Sequence, residues 1–195
     1  MARNEKVKIV ALAGSTREGS YNKKLAKIAA QAAQAAGADV SVIDLRDFPL
    51  PLFDEDLEKR DGAPDSAKKI KDILKFSDGF LIASPEYNSS ITGVLKNTID
   101  WTSRPSPDEP PLVCFQGKTA AIMSASPGGL GGLRGLVTLR SILGNIGVLV
   151  LPNQVSVSKA HEAFNADGSL KDAQQTASIK NLAAQLVSTL QKLNN

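Results

Sequence analysis

"KVKIVALAGSTREGSYN", residues 6–22, changes character twice. It opens with lysines alternating against Val7 and Ile9 and then runs without a polar residue to Ala13, the pattern of a strand covered on both faces of a parallel sheet. At Gly14 the run breaks into hydroxyls, a second glycine and an arginine. From Asn22 to Ala36, Leu25, Ile28, Ala29 and Ala32 fall at helical spacing, Lys23, Lys24 and Lys27 take the other side, and Gly37 is a natural stop. Strand, glycine loop and helix in this order open an α/β fold, and "ADVSVIDL" (38–45) supplies the next strand.

The alternation continues along the chain. "PDSAKKIKDILKF" (64–76) predicts an amphipathic helix capped by Asp65 or Ser66. "DGFLIAS" (78–84) precedes a helix near 91–101, "KTAAIMSAS" (118–126) a helix near 132–146, and "GVLVLPNQVSV" (147–157) a C-terminal helix with Ser169 as N-cap and Asp172 three residues on. Five strands alternating with five helices predict a doubly wound parallel sheet with helices on both faces, because parallel strands need crossovers of one hand, and the expected strand order is 2-1-3-4-5, a common one for such sheets. Residues 1–195 are expected to form a single domain. Two proline-punctuated segments, 46–64 (strongly acidic) and 103–117, read as loops whose length points to function or an interface.

Composition removes several classes. The chain is 42% hydrophobic and 22% charged, with no apolar run of the roughly eighteen residues a membrane span needs. Its start lacks the pattern of a signal peptide, so the expected address is cytoplasmic. One cysteine, Cys114, and one histidine, His161, rule out an internal disulfide and a zinc site of the usual nitrogen and sulfur type. The net charge of +3 comes from lysines spread along helix faces among acids, which argues against nucleic acid and leaves a mild field for small anions.

In a doubly wound sheet, ligands bind beyond the carboxyl ends of the strands where the order reverses. Three unusual loops stand at such ends: "GSTREGSYN" (14–22), "SPEYNSS" (84–90) and "SPGGLGG" (126–132). Gly14 and Gly19 have the spacing of a P-loop, but Ser20 and Tyr21 stand where its lysine and hydroxyl residue belong, so ATP hydrolysis is excluded; G-x-G-x-x-G does not fit either. Two readings remain. One is a monophosphate nest made of helix-start N–H groups, the hydroxyls of Ser15, Thr16 and Ser20, the Asn22 amide and the Arg17 guanidinium. The other is a plain helix start capped by serine. In the second loop Pro85 ends a buried strand, leaving Glu86, Tyr87 and Asn88 either to read the rim of a flat heterocycle or to form an ordinary turn. The third, with four glycines in five residues, allows close approach of backbone to a ligand or tight helix packing.

"GSTREGSYNKKLA", "PEYNSSITGVLKNTIDWTSR" and "SASPGGLGGLRG" together resemble the signature segments of the NADPH-dependent FMN reductase family, flavodoxin-like proteins that include azoreductases, quinone reductases and chromate reductases. The resemblance spans nearly the whole chain, with no site motif after residue 150. It implies that Ser15, Arg17, Ser20 and Asn22, with Tyr21 among them, bind the phosphate of FMN. It implies too that Pro85, Glu86, Tyr87 and Asn88 line the isoalloxazine ring, with Ser124, Gly128 and Gly129 close to the cofactor. NADPH or NADH is then the cosubstrate of a ping-pong oxidoreductase that passes electrons to a quinone, azo, chromate or flavin acceptor, and a homodimer or homotetramer is expected. No side chain is expected to act as a catalytic group, because the cofactor carries the chemistry.

Two other classes share these residues: a flavodoxin-like electron carrier and a non-catalytic FMN-binding sensor. Carriers of the resembling fold tend to be acidic and aromatic, whereas this chain is basic and 5% aromatic. His161 reads as a surface or structural residue, Cys114 as a buried inert thiol and Trp101 as a packing residue. Asn97 and Asp100 are expected to buttress the adjacent loop.

Overall fold

The computed structural model describes residues 6–107 and 109–194. Five strands, Lys8–Ala13 (β1), Asp39–Ile43 (β2), Gly79–Ala83 (β3), Thr119–Ala125 (β4) and Leu149–Val157 (β5), pair in parallel in the order β2-β1-β3-β4-β5. The doubly wound parallel sheet is the one the alternation predicts, and its strand order is the one expected. Leu12 pairs with Ile43 on one side and Ile82 on the other, and Ala13 with Ala83, so β1 and β3 end at one level, while β4, whose Met123 pairs with Ala83, runs on to Ala125.

Successive residues of β1 face opposite sides of the sheet. Ile9, Ala11 and Ala13 join one core cluster with helices Tyr21–Ala35 (α1) and Ala173–Leu193 (α7), through Leu25, Ala29, Ile179 and Leu186. Val10 and Leu12 join the other, beneath Asp65–Lys75 (α3), Gly93–Thr102 (α4) and Leu133–Asn145 (α5), through Ile70, Leu95 and Leu139. Burial of each such leucine or isoleucine contributes roughly 1.5–3 kcal/mol, so the two-sided core is what holds the sheet between its helices.

The structure corrects three expectations. The segment 46–64 holds a 3-10 turn (Leu45–Asp47) and a helix, Glu55–Asp61 (α2), capped by the Asp54 carboxylate, which accepts from Asp56 N at 2.8 Å. This helix buries no residue and so leaves no apolar period to read. Helix α3 begins at Asp65 itself, with Pro64 at the cap position and no side-chain capping bond. The last helix starts at Ala173 and is capped by Asp172, which accepts from Gln174 N and Gln175 N, while Ser169 lies in the preceding turn, where its hydroxyl accepts from Asn165 Nδ2 and donates to Asp167 Oδ1. A further short helix, Ala160–Ala163 (α6), follows β5.

Segment 46–64 is strapped along α4. Asn97 accepts from Phe53 N and donates to Pro51 O, each at 2.8 Å, and the buried Trp101 donates to the same Pro51 carbonyl and meets the Phe53 ring edge-on at 5.0 Å. Asn97 therefore buttresses residues 51–53, while Asp100 pairs with Lys96. Segment 103–117 is tied to α3 by Lys71 and Lys75, which both pair with Glu109. No helix among the described residues is long and apolar enough to cross a membrane.

Candidate functional site

The chain leaves β1 toward β2 on one side and later enters β3 on the other, so the strand order reverses between β1 and β3. The loops 14–20, 84–92 and 126–132 all rise from the carboxyl ends at this place. They are welded together. Gly14 N donates to Ala83 O at 2.9 Å, and the Thr92 hydroxyl donates to Gly14 O at 2.7 Å while accepting from Leu95 N as the cap of α4. A side chain at position 14 would meet Leu95 Cβ at 2.9 Å, so glycine is what lets the first loop lie against α4.

The first loop turns on Ser15, whose hydroxyl accepts from Arg17 N at 3.2 Å. Ser15 and Ser20 are buried, whereas Thr16, Arg17, Glu18 and Gly19 are exposed. Helix α1 then starts at Tyr21 with no side-chain capping bond from Ser20, leaving its first-turn N–H groups for another acceptor. The Arg17 guanidinium lies 5.2 Å from the Tyr21 ring centre, at the same helix end. Uncapped donors, a helix dipole and a cation converging on one spot make an anion site suited to a phosphate.

Asn22 takes a different place from the one its position suggests. Its buried amide donates to Ala125 O at 2.8 Å and accepts from Ala125 N at 2.9 Å, so the side chain bolts α1 to the end of β4 and only its backbone faces the anion site. The same holds for Glu86. One carboxylate oxygen accepts from Gly135 N at 3.1 Å and the other from Arg134 Nε at 3.2 Å, so the side chain caps α5 and joins the second loop to the third. Pro85 is buried at the strand end. Tyr87 and Ser90 exchange backbone hydrogen bonds around Asn88 and Ser89, both at positive φ (52° and 64°), a tight turn that leaves the Tyr87 ring exposed.

In the third loop Gly128 and Gly129 are exposed and present bare backbone. Gly132 has φ +88°, and a Cβ there would fall 1.9 Å from Ser124 Oγ. Ser124 is fully buried beneath this turn and its hydroxyl has no hydrogen-bond partner, so it seats the loop from below. Sequence reasoning missed Thr92 and Arg134. The threonine before a glycine and an apolar run was a readable helix cap, but nothing local marks Arg134 as the partner of Glu86. His161 is exposed beside Glu162, and Cys114 is buried with its thiol pushed up to about 11 by burial. A separate hollow of 240 Å³ lies at the opposite edge of the sheet, lined by Lys6, Lys8, Lys75 and Asp78.

Residues 7–162 match the family model described as NADPH-dependent FMN reductase. An NAD(P)H-dependent FMN reductase of Pseudomonas aeruginosa is 39% identical over 171 residues, 87% of each chain. A quinone reductase of Escherichia coli K12 is 36% identical over 148 residues, 76% of this chain and 75% of its own. Among solved structures, FerB, a flavoenzyme NAD(P)H:(acceptor) oxidoreductase of Paracoccus denitrificans, superposes with a TM-score of 0.79 at 30% identity, covering 95% of this chain and 98% of FerB.

Proposed function

The chain belongs to the NADPH-dependent FMN reductase family, and from that membership we propose how the edge formed by its three loops works. It is an oxidoreductase with FMN as cofactor and NAD(P)H as electron donor, of the FMN reductase and quinone reductase type. FMN held here would supply the redox chemistry, hydride uptake from the nicotinamide and transfer of two electrons and a proton to an acceptor. The protein binds and orients.

The observation that carries the reading is the uncapped start of α1 with Arg17 beside it, set at the strand-order reversal. The N–H groups of Tyr21 and Asn22, the hydroxyls of Ser15 and Ser20, and Arg17 hold the phosphate. Pro85, Tyr87, Asn88 and the backbone of Glu86 form one wall for the ring, and Gly128 and Gly129, lacking side chains, let the backbone approach it closely. Glu86 and Ser124 act behind this surface, the first by fixing α5 against the second loop and the second by seating Gly132.

Donor and acceptor take turns at the same open face, a ping-pong sequence, and quinone, azo, chromate or flavin compounds serve as acceptors. The whole chain acts as one domain. Apolar side chains left exposed near the site, Tyr87, Leu130, Leu133 and Val137, support a homodimer or homotetramer. An enzyme that consumes NAD(P)H works where that donor is made, so a cytoplasmic address is part of the proposal. Initial rates of NADPH oxidation at several fixed quinone concentrations test it: parallel double-reciprocal lines are expected, intersecting lines contradict the ping-pong order, and FMN binding without nicotinamide turnover leaves an electron carrier.

A further inference from the structure

The residues after β5 pack against the start of α1 from a region that the family match, ending at residue 162, does not include. Phe164 is 8% exposed and follows α6. It pairs with Leu170 across a closed turn in which Asn165 N donates to Ser169 O at 2.8 Å and Gly168 N to Asn165 O at 3.0 Å, and Lys171 N returns to Ala163 O at 3.0 Å. These bonds fix the ring of Phe164 in place. Tyr21 stacks on it with ring centres 5.9 Å apart and planes 12° from parallel, and the Arg17 guanidinium lies over the Tyr21 ring. Lys24, one turn along α1, places its ammonium 5.6 Å from the Phe164 ring centre and so ties the same ring to the helix from a second point.

Arg17 stands on an exposed loop, and a long side chain in that setting samples many rotamers unless something holds it. Tyr21, the first residue of α1 and only partly buried, is itself steadied by Phe164. We propose that Phe164 is a positioning residue for phosphate recognition: through Tyr21 it pre-sets Arg17 at the start of α1, so that the phosphate meets an ordered cation. This rests on the FMN reading above. The C-terminal turn at 163–171 thereby acts on cofactor affinity without touching the cofactor.

Riboflavin, which has the same ring system and no phosphate, separates positioning from general loosening. The dissociation constants of FMN and riboflavin are measured on flavin-free protein by fluorescence titration for the wild type, Phe164→Leu, Phe164→Tyr and Arg17→Ala. Phe164→Leu is expected to weaken FMN about two- to fivefold, at most the size of a cation–π contact at an accessible site, and to leave riboflavin unchanged. Phe164→Tyr keeps the ring and restores FMN affinity. In an Arg17→Ala background Phe164→Leu should have no further effect on FMN, because the two act on one contact. Equal losses for both flavins, or an unchanged FMN constant in folded Phe164→Leu, overturn the proposal. Should Phe164→Leu fail to fold by circular dichroism, Tyr21→Leu, at a partly exposed site, takes its place with the same two outcomes. A wild-type protein that binds neither flavin overturns the FMN reading and this inference with it, whereas wild-type preference for FMN that survives in the variant overturns this inference alone.

Discussion

Gly132 and Ser124 are in such close apposition that each limits the other. Replacing Gly132 by alanine forces a left-handed residue, which costs about 1–2 kcal/mol, and drives a methyl group onto the Ser124 hydroxyl. A lower unfolding midpoint is expected for Gly132→Ala, with part of the loss recovered by adding Ser124→Gly. Arg17 acts at the same edge through charge. Arg17→Ala should weaken FMN binding by about ten- to a hundredfold, the roughly 1.5–3 kcal/mol of a charge-assisted contact, while the rate at saturating FMN changes little. Titration of FMN against initial rate separates the two quantities, and an unchanged dissociation constant contradicts the assignment. Cys114 offers a check on the core. Fully buried and with its thiol raised to about 11, it should resist a thiol reagent at neutral pH in the native protein and react once per chain after unfolding.

Between elements, the decisive contacts join groups far apart in the chain. Asn22 makes two buried hydrogen bonds to Ala125, and Asn22→Ala strands both backbone groups, so a loss of roughly 2–4 kcal/mol is expected in chemical denaturation. Glu109 ties segment 103–117 to α3, and the hydrogen bond from Lys75, with the nearby charge of Lys71, holds its carboxyl below the usual carboxylate range. The charged form is the one the fold favours. Its contribution is complete above the ordinary carboxylate pKa and is lost as pH falls through the lower folded value. The gap in unfolding midpoint between wild type and Glu109→Gln should therefore close in acid. Elements with a long apolar period, β1, α1, α3 and α7 among them, were legible in the sequence, as was the convergence of three glycine- and proline-marked loops. Helix α2 was not, because it buries nothing, and Ser169 misled because the turn with Asn165 and Asp167 engages its hydroxyl and the helix starts four residues later at Ala173. The side-chain directions of Asn22 and Glu86 were equally hidden: each is set by a partner about fifty to a hundred residues away, Gly135 for one and Ala125 for the other, and local pattern carries no trace of such pairing.

At the scale of the molecule, a two-sided apolar core fixes five parallel strands, the reversal of strand order between β1 and β3 brings three loops to one edge, and long-range hydrogen bonds join those loops into a rim with the uncapped start of α1 at one end. That rigidity is what positions a cofactor whose own chemistry does the work. The account stands on FMN being bound there and reduced by nicotinamide. The direct test is the visible absorption spectrum of protein loaded with FMN and desalted, recorded before and after anaerobic NADPH. Retained flavin whose band at about 450 nm bleaches on adding NADPH is the predicted result; a protein that keeps no flavin, or keeps it yellow in the presence of both NADPH and NADH, would contradict the account.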